Sequence, residues 1–303
     1  MFSLGHLSDL HATPVRPGRV SELRNKRFFG WLSWQLRRRR VYRPDVLDAL
    51  IDDLHDEVPD QVAVTGDLTN IALESEFDAA RAWLARIGSP DRVFVVPGNH
   101  DAYVPVARER SWDKWSEYLA SDAADGGVFD GEFPTLRRRG PAALVGVCTA
   151  HPTALFRAGG SVGTAQLERL EALLSALADA DVARIVLIHH PITDGATSPR
   201  RSLDDAAAVR AVLRRAGADL VLHGHNHRTQ LFQVPGPEGP IPVVGVRSSS
   251  YMGRKPTKCA HYHIYDFAAA TGERRGARFH VSMRTRAYDP AQHRFVPAGE
   301  RTL

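Results

Sequence analysis

Asp9 with His11, Asp67, Asn99 with His100 and Asp101, His189 with His190, and His225 with His227 all occupy one kind of place in this chain. Each is set in the polar turn that closes a short apolar run. The turns read Asp9-Leu10-His11, Gly66-Asp67, Gly98-Asn99-His100-Asp101, His189-His190 and Gly224-His225-Asn226-His227. Carboxylates, an amide oxygen and imidazoles suit Mn, Fe or Zn better than Ca, which prefers all-oxygen cages. No cysteine adjoins the turns, which argues against a structural zinc site. The inventory is large enough for two adjacent divalent cations. Such a pair, about 3.5–4 Å apart and bridged by a carboxylate, can clamp the attacking and leaving oxygens of an in-line displacement. Water between the cations loses a proton more readily and becomes a hydroxide nucleophile near neutral pH. The chemistry that results is cleavage of phosphoric esters.

Donors of this kind need rigid carriers. The apolar runs 2–7, 61–65, 92–96, 183–188 and 220–222 read as strands that run directly into the motifs, and 142–149 reads as another. Asp-x-His on an extended segment would put both donors on one side, and the same holds for His225 and His227. Helical spacing is found at 46–54, 74–87, 164–177 and 203–216. Beyond Gly224 the pattern changes: 242–247, 261–267 and 277–286 read as strands without helices between them, and Asp289-Pro290 reads as a hairpin turn. A βαβ-like first part and a β-rich part from about 240 predict an α/β protein of two packed sheets with helices outside.

With 303 residues and 43% apolar content, the chain can bury a large core. The motifs must converge, so a single domain over 1–303 is expected. Two cysteines, Cys148 and Cys259, make no disulfide framework and fit a reducing compartment. The first residues turn polar too soon for a signal peptide, and no run approaches the ~20 apolar residues of a membrane span. A cytoplasmic protein is expected. The net charge of +4 is carried mainly by arginine, with clusters at 37–40, 137–139, 200–201, 214–215 and 274–275. These clusters are scattered and accompany no nucleic-acid module, so a nucleic-acid partner is not expected.

The five motifs, in this order, resemble those of the calcineurin-like metallophosphoesterase family over residues 9 to 227. Each motif alone is weak, and a lone histidine at a strand end is usually a polar cap; the complete set is specific. The resemblance implies a four-layer α/β/β/α sandwich and a binuclear metal centre. It implies that Asp9, His11, Asp67 and His227 hold one cation. It implies that Asp67, Asn99, His189 and His225 hold the other, with Asp67 bridging and Mn, Fe or Zn as the ions. His100 would stabilise the transition state or protonate the leaving oxygen, and Asp101 would orient His100. His189, directly at the strand end, is favoured over His190, which would shape the pocket. Arg200 and Arg201 are further candidates for binding substrate phosphate.

The implied activity is hydrolysis of a phosphodiester or pyrophosphate bond. Monoesters are disfavoured because no dense arginine cluster lies within the metal motifs. An insertion at about 22–43 follows the Asp9/His11 turn and should overhang the site. Its aromatic and basic residues, from Lys26 through Phe28, Phe29, Trp31 and Trp34 to Arg40, suit acyl chains and anionic headgroups as well as plain packing on the domain. Within the family this admits a UDP-2,3-diacylglucosamine-type lipid pyrophosphate hydrolase, peripheral on the inner membrane face. A soluble cyclic-nucleotide phosphodiesterase is the alternative. A non-catalytic scaffold should lack one or more ligands, and none is missing.

Overall fold

The central strands of this chain are apolar on both faces because they are covered on both. The computed structural model describes residues 1–123, 127, 129–269 and 279–303, so the Arg274-Arg275 cluster lies outside the described residues. The first sheet has the order β12 (Arg294–Thr302), β11 (Phe279–Asp289), β10 (His261–Ala269), β1 (Phe2–Leu7), β2 (Gln61–Val64), β3 (Val93–Val95). The second has the order β4 (Thr135–Arg139), β5 (Ala142–Val147), β6 (Ala183–Ile188), β7 (Leu220–His223), β9 (Pro240–Gly245), β8 (Gln230–Pro235). β1, β2 and β3 are parallel, as are β5, β6, β7 and β9; the remaining pairs are antiparallel.

Side-chain alternation assigns each strand residue to a layer. Phe94 and Val96, with Ile185, Leu187, Leu220 and Leu222, fill the space between the sheets. Val62, Val64, Val93 and Val95 point the other way, onto α3 (Pro44–Glu57) and α4 (Glu74–Ile87). Val145, Val186 and Val221 face α5 (Thr164–Ala176) and α6 (Ala206–Ala216). The result is the α/β/β/α sandwich expected from the motifs.

The insertion forms α1 (Arg27–Ser33), a π-helical turn over Trp34–Arg38, and α2 (Arg39–Val41). Trp31 and Trp34 pack on Val15, Ile71 and Leu73. Tyr42, just beyond, bridges to Tyr251 in the β9–β10 connection. No helix among the described residues is long and apolar enough to cross a membrane. Cys148 and Cys259 are free and buried.

Candidate metal centre

All seven candidate ligands lie just past the C-terminal ends of parallel strands, where the loops of both sheets meet. Asp9 and His11 follow β1, Asp67 follows β2, and Asn99 follows β3. His189 follows β6, and His225 with His227 follows β7. Backbone bonds tie these loops together: Asp9 N–H donates to the Gly66 carbonyl at 2.9 Å and His11 N–H to that of Asp67 at 3.2 Å. His225 N–H donates to Asp9 Oδ2 at 3.0 Å.

Alternation along an extended segment predicts paired donors on one side, but the backbone at these turns is left-handed. φ is 52° at Asp9, 45° at His11, 57° at Asp67, 66° at His225 and 51° at His227. Such conformations cost roughly 1–3 kcal/mol each and cluster where function over-determines the backbone. The donors converge because both members of each Asp/His or His/His pair sit at sharp corners. Two glycines allow the loops to close up. A Cβ at Gly98 would lie 2.3 Å from Asp67 Oδ1, and one at Gly224 would lie 1.8 Å from Ser8 Oγ.

The donor atoms form two groups that share Asp67. His227 Nε2 is 3.0 Å from Asp9 Oδ1, and His11 Nε2 is 4.0 Å from Asp9 Oδ1 and 3.6 Å from Asp67 Oδ2. In the second group, His189 Nε2 is 3.5 Å from Asp67 Oδ2 and 3.1 Å from Asn99 Oδ1. His225 Nδ1 is 2.9 Å from Asn99 Oδ1.

The far nitrogen of each imidazole is already engaged. His11 Nδ1 meets the Thr69 carbonyl at 2.9 Å, and His189 Nδ1 meets that of Thr65 at 2.6 Å. His225 Nε2 meets the Arg201 carbonyl at 2.9 Å, and His227 Nδ1 meets the Tyr42 hydroxyl at 3.2 Å. A carbonyl accepts only, so it fixes the N–H there and leaves the centre-facing nitrogen free as a donor to metal. Asp9 Oδ1 and His11 Nε2 are buried with no hydrogen-bond partner. Asp9 is held at about 2, because His227 and His189 outweigh the effect of its burial. Burial lowers His189, but Asp67 and Asp9 raise it to about 9. The pocket therefore draws positive charge, and the donor set fits divalent cations, whose binding would displace that proton. Buried His/Asp groups with donor atoms within 4.8 Å of one another are what a dimetal site requires.

The other sequence candidates divide. His100 Nε2 lies 3.3 Å from an Arg38 guanidinium nitrogen, while Nδ1 donates to the Asn70 carbonyl. Burial and Arg38 bring its pKa down to about 4. Asp101 does not reach the His100 ring. Its carboxylate accepts N–H bonds from Asp67, Thr69 and Gly98, each at 2.9 Å, so it holds the two ligand loops in register. His190 is also not a pocket group. It is fully buried, bonded through Nδ1 to Thr149 and through Nε2 to the Ala158 carbonyl, and its ring packs on His225 at 4.4 Å. Arg201 is at the site and donates to the His225 carbonyl at 2.7 Å; Arg200 is exposed and lines neither cavity beside it.

Two cavities meet at the centre. One of about 680 Å³ is lined by Asp67, Asn99, His100, His225 and His227 together with six cations: Arg37, Arg38, Arg201, Arg228, Arg247 and Lys258. The other, of about 390 Å³, shares Arg38, Asn99, His100 and Arg201 with the first and is walled by Phe29, Tyr103, Leu155 and Phe156. No arginine cluster lies within the motifs, as read from the sequence, but cations from segments outside them reach the site, so that reading gives no argument against a monoester. Conversely, Arg137 of the 137–139 cluster is a structural residue. Its guanidinium is buried and donates to the carbonyls of Ala120, Glu117 and Val93, each at 2.8 Å.

Tyr42 and Ser248–Ser250 are not singled out by the sequence, and Arg38 enters there only as one of the 37–40 cluster on the insertion. The three serines donate through Oγ to the carbonyls of Asp9, Ser8 and Leu10, pinning the first ligand loop. A buried serine triplet after an apolar strand was the available signal.

The sequence profile described as calcineurin-like phosphoesterase matches residues 2–229, and the chain belongs to that family. Its fold is similar to that of a dimetal phosphatase from Danio rerio, with 14% identity over 98% of each chain and a TM-score of 0.62. A purple acid phosphatase from yellow lupin is similar over 99% of this chain and 53% of its own, with 12% identity and a TM-score of 0.59. The sulfate thiohydrolase SoxB of Thermus thermophilus is similar over 97% of this chain and 56% of its own, with 19% identity and a TM-score of 0.51. At such identities the likeness is one of fold. No curated protein sequence matches the chain.

Proposed function

We propose that this phosphoesterase is a binuclear metal-dependent hydrolase acting on a phosphodiester or pyrophosphate bond. The observation that carries the reading is the convergence of two oxygen- and imidazole-rich groups on Asp67 Oδ2, with the outward nitrogens already engaged. Asp9, His11 and His227 would hold one divalent cation, and Asn99, His189 and His225 the other, with Asp67 between them. When bound, such a pair supplies Lewis-acid charge and a deprotonated water at neutral pH. His100 holds its lone pair at Nε2 toward the cavity. A bound phosphate raises its proton affinity, so it can carry a proton to the leaving oxygen. Arg38 and Arg201 neutralise charge on the phosphoryl oxygens.

The arginine-lined cavity removes the sequence argument against monoesters. The preference for a diester or pyrophosphate is supported instead by the two chambers that meet at His100 and Asn99, which give room for a group on each side of phosphorus. The test is hydrolysis of bis(4-nitrophenyl) phosphate by the Mn²⁺-loaded chain. We expect turnover that chelation abolishes and Mn²⁺, Fe²⁺ or Zn²⁺ restores. Equal turnover in chelator would overturn the metal-dependent reading. UDP-2,3-diacylglucosamine in mixed micelles and 3′,5′-cyclic AMP, assayed side by side, separate a lipid pyrophosphate hydrolase from a cyclic-nucleotide phosphodiesterase.

A specific observation favours the lipid member of that pair. Phe28 (45% exposed), Phe29 (47%) and Phe156 (72%) form one aromatic surface, with the Phe29 and Phe156 rings 5.8 Å apart, and Leu36 (66%) is exposed further along the insertion. Exposed Arg37, Arg39 and Arg40 follow along the same segment, a combination suited to an anionic bilayer. Replacing Phe28, Leu36 and the likewise exposed Leu32 of the insertion together with serine should abolish sedimentation with phosphatidylglycerol vesicles. Unchanged sedimentation would refute the membrane reading. Point changes are needed because deleting the segment would also take Arg38 from beside His100.

A further inference from the structure

The cation lining of the larger cavity exceeds what one phosphoryl group at the metal centre can use. Among the described residues, Asp67 is its one lining carboxylate, against six lining cations. None of the six makes an ion pair with a carboxylate among the described residues. They fall into two sets. Arg38 and Arg201 belong to the side of the cavity that His100 faces, with Arg37 next to Arg38 in the same turn; the π-helical turn delivers Arg38 to the imidazole, and Arg201 bonds the His225 carbonyl. The second set comes from three other segments: Arg228 just past the His225/His227 loop, Arg247 two residues beyond β9, and Lys258 at the end of a short turn before β10.

Within this second set Arg228 and Lys258 are exposed, and Arg247 is held at a cost that no carboxylate among the described residues offsets. Arg247 Nε is buried with no hydrogen-bond partner, and a buried donor left unmade is unfavourable and rare. Burial lowers the pKa of Arg247, and repulsion from Arg228 lowers it further. Tyr251, Thr229 and Asn226 add neutral polar groups to the same lining. Like charges crowded around an open cavity, one of them with an idle buried donor, form a receptor for an anion with several acceptor oxygens.

We propose that Arg228, Arg247 and Lys258 form a second anion subsite, which binds a phosphate group of the substrate at least one phosphoryl unit away from the bond that is cleaved. The substrate class is thus a phosphoanhydride or a bisphosphate ester rather than a singly charged diester. The inference rests on the hydrolase reading for which bond is cut, but the subsite itself is tested by binding.

The test compares adenosine 5′-monophosphate with adenosine 5′-(α,β-methylene)diphosphate, a non-hydrolysable probe with one more phosphoryl unit, by calorimetric titration of the Mn²⁺-loaded chain. We expect the diphosphate analogue to bind on the order of 30-fold more tightly, the size expected of one or two charge-assisted hydrogen bonds. In the Arg247→Ala, Lys258→Ala double variant that gap should shrink to about threefold or less, and Arg247→Lys should retain part of it. Comparing variants removes the contribution of chelation to the gap, because the metal ligands are unchanged. Should the double variant fail to fold, Lys258→Ala alone, at an exposed position, should narrow the gap about fivefold. Equal affinity of the two probes in the unaltered chain, or a gap that survives these substitutions, overturns the proposal. Equal turnover of bis(4-nitrophenyl) phosphate in chelator would count against the metal-dependent hydrolase reading alone and leave the subsite standing if the gap behaves as described.

Discussion

Asp67→Asn is expected to lose both metal and turnover while keeping the fold. Asp67 Oδ2 stands 3.6 Å from His11 Nε2 and 3.5 Å from His189 Nε2, midway between the two donor groups. Its other oxygen accepts the His100 backbone N–H at 2.7 Å. An asparagine can keep that N–H bond through its carbonyl, but it then turns an NH₂ group toward the two imidazoles. No anionic oxygen is left to bridge two cations. Metal content, read by atomic emission after gel filtration, should fall from about two per chain to one or fewer. With the bridge gone, kcat should fall by about 10³-fold or more, because several kcal/mol of charge stabilisation depends on it. The unaltered chain should melt at higher temperature with Mn²⁺ present, since a ligand of the native state stabilises it; the variant should lose most of that increment. The metal-free melting temperatures should be similar, because Asp101 and the serine triplet hold the loops independently of the Asp67 charge. Two metals and full turnover in the variant would remove Asp67 from the bridge.

What could be read from the sequence was whatever is local. β1, β6 and α4 (Phe2–Leu7, Ala183–Ile188 and Glu74–Ile87) coincide with the expected spans, because strands buried on both faces are unbroken apolar runs and an amphipathic helix repeats its own face. The ligands were legible for the same reason, since each closes such a run. β4 and β8 were not. β4 carries Arg137, whose charge disguises a strand until its guanidinium is seen to be satisfied by backbone carbonyls. β8 is a largely exposed edge strand, with no buried alternation to announce it. The cation lining was illegible because it is assembled across the chain. Arg38 and Arg247 come together only when Tyr42 pairs with Tyr251, a contact no local pattern encodes. Asp101 misled in another way. Its place beside His100 in sequence suggested a carboxylate–imidazole pair, but the left-handed turn at Asp67 brings backbone N–H groups to it instead. Burial and the neighbouring Asp67 charge raise Asp101 to about 7, against the pull of those donors, which marks it as a strut under electrostatic load.

His100→Ala should separate chemistry from metal binding. Geometry alone leaves the question open, since His100 comes within 4.8 Å of His11 and Asp67 and could join a metal group. Its surroundings point elsewhere. Nδ1 is held by the Asn70 carbonyl, the ring stacks on Tyr103 at 5.6 Å, and Nε2 faces Arg38 at the junction of the two cavities. The His100 link to Asp67 is through the backbone N–H, which alanine retains. The variant is therefore expected to keep its full metal complement and to lose about 10²–10⁴-fold in kcat, the range for a missing general acid, with KM changed much less. The size of the loss should depend on the leaving group. For bis(4-nitrophenyl) phosphate, whose leaving phenolate needs little help from a proton, it should be small. For a diester that expels an alkoxide it should be large. A uniform loss across leaving groups would mean that His100 stabilises phosphoryl charge without giving up a proton. Loss of metal would make it a ligand and require the two donor groups to be redrawn.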